Sequence, residues 1–215
     1  MATVQEMVEV ETIQEMIEKA RKAQGKWQKA RQKRIDAVVR EIGKTVYDNA
    51  EFLAKLTVEE TGMGNYEDNL RQDKRKSCII WHSLKKRKSV GIVKRDRKTG
   101  LVEVAKPVGV VAAVLPMTIP VTNFMSNAMF SLKSGNAMIA APHPKAKRTV
   151  AATASLILAA LEKLDAPEYL LQYLKEPSIE LTRELMSKAD VIVATTNPKH
   201  LSQFVAAKNW QEIFG

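Results

Sequence analysis

The chain has 215 residues, 45% hydrophobic and 27% charged, which is the ordinary balance of a globular protein with room for a sizeable core. A single cysteine excludes an internal disulfide framework. Residues 1–18 are acidic rather than signal-like, and no run approaches the roughly 18 apolar residues of a membrane span. A soluble, cytoplasmic chain without a membrane partner is expected.

Residues 12–24 put Ile13, Met16, Ile17 and Ala20 on one helical face, and Gly25 is expected to interrupt that helix. Residues 27–46 repeat the spacing through Ile35, Val38, Val39, Ile42 and Val46. A third helix over 49–61 carries Phe52, Leu53, Leu56 and Val58 and stops at Gly62-Met63-Gly64. A fourth is expected over 67–84. Each face is apolar on one side only and must pack on something else. The amphipathic N-terminus reads either as a packing helix or as a targeting tag for a bacterial microcompartment, and packing is the commoner use of such a face.

The formal net charge of +10 is local. Residues 1–70 sum to −2, residues 71–98 to +10 and residues 99–215 to +2. A basic cluster of this kind raises a polyanionic partner. Its aromatic content is only Trp81 and His82, so nucleic acid is the least supported reading. Cys78 lies in this segment beside Ile79 and Ile80. It is expected on the apolar side of the helix as a packing residue rather than a nucleophile. No His, Cys or carboxylate cluster has metal-ligand spacing, so no metal is expected.

Residues 89–93 and 101–105 read as a hairpin around Lys98-Thr99-Gly100. After Pro107 the composition changes. The run VGVVAAVL (108–115) has no alternation, as in a strand buried on both faces of a parallel sheet. A helix follows over 122–132, then a buried strand over 136–141 and a helix over 146–164. A weaker strand (169–174), a helix (179–187), a strand (190–195) and a helix (198–207) complete the alternation. This is the pattern of βαβ units, giving an α/β fold with an open, doubly wound, Rossmann-like parallel sheet behind a helical N-terminal region. The expected organisation is 1–88 helical, 89–106 hairpin and 107–215 dinucleotide-binding, all within one unit.

Ligands of such sheets bind beyond the carboxyl ends of the strands. The first strand ends in Leu115-Pro116-Met117-Thr118, a stiff loop with one hydroxyl. The second ends in Ala141-Pro142-His143-Pro144, with Lys145, Lys147 and Arg148 following to suit an anionic ligand such as a nucleotide phosphate. The fourth ends in Ala194-Thr195-Thr196, before Pro198 at a helix start. No GxGxxG turn follows any strand.

The run GVVAAVLPMTIPVTNFMSNAMFSLKSGNAMIAAPHPKAK (109–147) resembles the opening of the cofactor domain in CoA-acylating aldehyde dehydrogenases of the acetaldehyde, propionaldehyde and sulfoacetaldehyde type. EETGMGNYEDN (59–69), VEVAKPVGVVAAV (102–114) and the stretch 165–195 agree with it. The resemblance implies a reaction in which a cysteine attacks an aldehyde, NAD or NADP takes the hydride and coenzyme A removes the acyl group. It places Leu115, Pro116, Met117 and Thr118 at the reaction-centre side of the cofactor. Ala141, Pro142, His143 and Pro144 would lie along the adenosine, and Ala194, Thr195 and Thr196 would approach the pyrophosphate. It also implies a homo-oligomer contacting through the 89–105 hairpin.

Three departures stand out. Ile119 occupies the family's asparagine position, ATTNPKH replaces its glycine-rich ATGG turn, and its catalytic cysteine comes later than this chain extends. Cys78 matches the wrong region. The resemblance therefore implies a truncated or partial enzyme that holds the cofactor but lacks the nucleophile. The alternative is a non-catalytic interaction or oligomer-assembly protein derived from the same family.

Overall fold

The computed structural model describes residues 12–195. The helix expected over 198–207, the N-terminal tag reading (in residues 1–11) and Thr196 lie outside the described residues.

Helix α1 (Ile13–Trp27) opens on a capping box: Glu15 N donates to Thr12 Oγ1 at 3.2 Å, and Thr12 N to Glu15 Oε2 at 2.8 Å. It does not stop at Gly25 but continues to Trp27, a correction to the expected break. The buried Trp27 indole explains the extra turn, since its Nε1 donates to the Leu132 carbonyl at 2.9 Å. That tertiary anchor outweighs the helix penalty of one glycine, roughly 1 kcal/mol. Helix α2 (Gln32–Asp48) buries the expected stripe of Ile35, Val38, Val39, Ile42 and Val46. Helix α3 (Ala50–Thr61) ends at Gly62 in the left-handed conformation.

Helix α4 (Tyr66–Leu84) corrects a second expectation. Its buried positions are Asp73, Ser77 and Leu84, while Cys78 and Ile79 are exposed. Apolar identity misled here because α4 turns the polar Asp73 and Ser77 inward. Strands β1 (Gly91–Arg95) and β2 (Val102–Ala105) form an antiparallel hairpin. Gly100 takes φ +73° in its turn, and Asp96 Oδ1 accepts from Lys98 N at 2.8 Å.

The remaining strands are β3 (Val110–Val114), β4 (Ala137–Ala141), β5 (Leu171–Tyr173) and β6 (Val191–Ala194). They pair in the order β5-β4-β3-β6, all parallel. Helices α5 (Pro120–Lys133) and α6 (Lys147–Glu162) cross over on one face, and α1 and α7 (Ile179–Lys188) pack on the other. Every residue of β3 and β4 is buried, which is why neither strand alternates. Helices α2, α3 and α4 pack behind α5 and α6, and one continuous core joins them to the sheet. The buried Lys133 ammonium of α5 pairs with Asp36 of α2. Among the described residues no helix is long and apolar enough to cross a membrane.

The amino-terminal edge of the sheet is pinned by side chains. Asn136 Oδ1 accepts from Val108 N at 2.7 Å and Gly109 N at 3.1 Å. Asp190 Oδ2 accepts from Val110 N at 2.8 Å, and its Oδ1 meets the Arg21 guanidinium at 3.0 Å. These contacts fix the strand ends at one side and leave the opposite, carboxyl ends free to form a site.

Candidate functional site

The chain passes from β3 outward through β4 to β5, then returns to place β6 on the other side of β3. The reversal opens a crevice between the carboxyl ends of β3 and β6, the position where doubly wound sheets bind ligands. Thr195 N donates to the Val114 carbonyl at 3.1 Å, which holds the two ends side by side. Leu115 is buried and donates to the Ala141 carbonyl at 3.0 Å, carrying the loop toward β4. Pro116 and Met117 are half-buried and Thr118 is exposed. Ile119 sits at the N-cap of α5 and contributes no side-chain hydrogen bond, with Pro120 behind it. Thr195 Oγ1 donates to Asn123 Oδ1 at 3.4 Å, and the buried Asn123 Nδ2 has no partner among the described residues. Thr118 and Thr195 thus bring two exposed hydroxyls to this crevice, and the unsatisfied Asn123 amide lies buried behind Thr195.

Beside it, β4 ends at Ala141. Pro142 is buried, His143 half-buried and Pro144 exposed. The His143 Nδ1 accepts from Lys145 N at 3.1 Å and starts a 3₁₀ turn, Pro144–Ala146, that leads into α6. The N-terminus of α6 is already occupied by a carboxylate from α3. Glu60 accepts from Arg148 N, Thr149 N and Thr149 Oγ1, each at 2.7 Å. The Arg148 guanidinium meets Glu59 at 3.1 Å, and Lys147 is paired with Glu176. The expected row of free cations after β4 is therefore largely neutralised. Nothing in the spacing of Glu60 pointed to this, because it reaches α6 across 88 residues of chain.

The structure brings Leu115–Thr118, Ala141–Pro144 and Thr195 to one end of the sheet. It leaves Cys78 apart on the outer side of α4, in a shallow groove of about 180 Å³ with Tyr47 and Trp81. His82 Nδ1 lies 2.8 Å from the Cys78 carbonyl and is engaged with its own helix, not with the thiol. A larger groove of about 710 Å³ runs beside β5, lined by Met16, Tyr169 and Gln172. Neither groove includes a residue of the loops after β3, β4 or β6. Among the described residues no group of three His, Cys, Asp or Glu could hold a metal ion.

The family model described as "Aldehyde dehydrogenase family" matches residues 1–198. The chain belongs to the aldehyde dehydrogenase family. Within it, the chain is similar to the N-terminal part of acylating members. It is 50% identical over 184 residues to the succinate-semialdehyde dehydrogenase (acetylating) of Clostridium kluyveri, covering 86% of this chain and 41% of that protein. The acetylating aldehyde dehydrogenase of Geobacillus thermoglucosidasius superposes with a TM-score of 0.88 at 33% identity, over 91% of this chain and 44% of that one. The chain thus spans less than half the length of these relatives. More distant aldehyde dehydrogenase relatives were solved with ligands. An engineered glycolyl-CoA reductase holds NADP+ (26% identity, TM-score 0.77, 92% of this chain and 45% of that one). A propionaldehyde dehydrogenase of Rhodopseudomonas palustris holds CoA (29% identity, TM-score 0.78, 92% and 45%). For an aldehyde dehydrogenase cofactor, the exposed hydroxyls of Thr118 and Thr195 at the β3–β6 crevice are a fitting donor set.

Proposed function

We propose that this chain supplies the cofactor-binding part of a CoA-acylating aldehyde dehydrogenase. The complete enzyme would convert aldehyde, CoA and NAD(P)+ to acyl-CoA and NAD(P)H. The observation that carries this reading is the crevice at the β3–β6 switch point, with the β4 loop beside it, in a chain of this family. NAD or NADP supplies the hydride acceptor when bound. Leu115, Pro116, Met117 and Thr118 would shape the reaction-centre end. Ala141, Pro142, His143 and Pro144 would line the adenosine end, held extended by the two prolines. Thr195 would offer its hydroxyl between them. Coenzyme A is the proposed acyl acceptor, and a small aldehyde the substrate.

Calorimetric titration with NAD+ and NADP+ tests the proposal. We expect the chain to bind a nicotinamide dinucleotide yet form no NADH from aldehyde and CoA. Failure to bind either nucleotide overturns the cofactor assignment. NADH formation that disappears in Cys78→Ala overturns the assignment of Cys78 as a bystander.

A second reading, assembly through the hairpin, is favoured by one observation. Ile92, Leu101, Val102 and Val104 are exposed on a two-stranded ribbon whose edges pair with nothing among the described residues. This ribbon is the proposed contact with a second copy.

A further inference from the structure

We infer that the groove between α2 and α4 is a docking site for an acidic peptide segment that carries one large apolar side chain. Tyr47 from α2 and Trp81 from α4 give the groove apolar walls, and Gly43 adds no side chain to fill it. Ser77 also lines it, but its hydroxyl is turned to the Asp73 carbonyl at 2.7 Å. The volume of about 180 Å³ compares with the ~150 Å³ cavity that admits a benzene-sized group. It therefore suits one side chain of leucine or phenylalanine size. A single apolar anchor in a groove with a polar surround is how binding energy concentrates at protein interfaces.

The surround decides the charge of the segment that holds the anchor. Arg40 and Lys44, both exposed, line the groove from α2. On α4 the stripe of Cys78 and Trp81 continues at helical spacing to Lys74 before it and Lys85 after it. The Lys74 ammonium stands 5.9 Å from the Tyr47 ring, at one end of the groove. The nearby acids are already engaged: Asp48 and Glu41 act on Lys44, and Glu51 meets Lys74 at 3.5 Å. Arg40 and Lys85 are left without an ion pair among the described residues, as are the exposed Arg75, Lys76 and Lys86. Such an excess of unpaired cations selects an acidic partner. Nucleic acid would call for repeated stacking surfaces, whereas this face offers one apolar groove among cations. One apolar side chain among carboxylates is its complement.

Cys78 is the single cysteine of the chain and lines the groove, so its thiol reports occupancy. The probe is a synthetic peptide with one leucine between two runs of glutamate, titrated into the whole chain while iodoacetamide alkylates the thiol. We expect saturating peptide to slow alkylation about tenfold or more, and alanine in place of the leucine to weaken binding about tenfold. Arg40→Glu, a change at an exposed position, should weaken binding about fivefold or more. Equal affinity for the leucine and alanine peptides overturns the inference, because charge alone then accounts for binding, and this comparison needs no variant of the chain. Absence of binding overturns it too, as does binding that leaves the alkylation rate unchanged. Protection of Cys78 that rises with chain concentration alone assigns the groove to a second copy. Stronger protection by an oligonucleotide than by the peptide assigns the face to nucleic acid. Either of these results overturns the peptide assignment.

Discussion

Asp73 lies on the inner side of α4, buried, and its Oδ2 has no hydrogen-bond partner among the described residues. Its neighbours on α4 face α5: Gln72 Nε2 donates to Thr122 Oγ1 at 3.3 Å, and Ser77 Oγ reaches the Met125 sulfur at 3.1 Å. Burial away from water penalises the charged carboxylate and pushes its pKa from 3.8 up to about 7. The folded state therefore prefers the protonated acid. The favourable contribution is full below the unfolded pKa near 4 and is lost as pH rises through about 7. Asp73→Asn removes the ionisation without changing shape. We expect it to flatten the decline in stability between pH 4 and 8, and to stabilise the chain at pH 8 by no more than about 4 kcal/mol. Urea unfolding at pH 5 and pH 8 measures this, and identical pH profiles for both proteins would refute it. The sequence showed an acid inside a basic segment, which reads as a surface residue. Only the packing of α4 on α2, α3 and α5 turned it inward, and the same rotation exposed Cys78.

At the scale of elements, the loop into β3 is the tightest joint described. Gly109 has φ +129°, a region that L side chains rarely adopt. An added Cβ would stand 2.2 Å from Asp190 Oδ2, the oxygen that receives the Val110 amide. Gly109→Ala must strain the backbone and also displace a carboxylate that ties β6 to β3 and to Arg21. We expect a loss of about 3 kcal/mol or more, visible as a lower urea midpoint, with the β3–β6 crevice loosened as well. A midpoint within error of the parent would show that Asp190 is not the clamp described. The strands themselves were legible in advance, because residues 110–115 and 136–141 of the two unbroken runs have no solvent face. Helix ends were less so. Gly25 is a local breaker, but Trp27 finds its hydrogen bond on Leu132, more than one hundred residues away.

For the whole molecule, the net charge of +10 resolves into a basic outer face on α4 and the hairpin. Among the described residues, few of those cations are paired: Arg71 meets Asp68 at 3.4 Å, Lys74 meets Glu51 at 3.5 Å and Lys94 meets Glu103 at 3.1 Å. Assembly through the ribbon would bring such charges together, so it should strengthen as salt screens their repulsion. Light scattering during size exclusion, at low and high salt, checks this. We expect association that Val104→Glu abolishes, and a strict monomer at high concentration under both conditions would remove the hairpin reading.

The sequence by itself determined the α/β class, the parallel buried strands and the loops that carry Leu115–Thr118 and Ala141–Pro144. It did so because hydrophobic periodicity and the alternation of strands with helices depend on near neighbours along the chain. The tertiary structure alone decided that Glu60 fills the head of α6, that Asp73 is buried and that Cys78 stands apart. Those outcomes depend on how helices far apart in the chain rotate against one another when they share a core, and no local spacing records that.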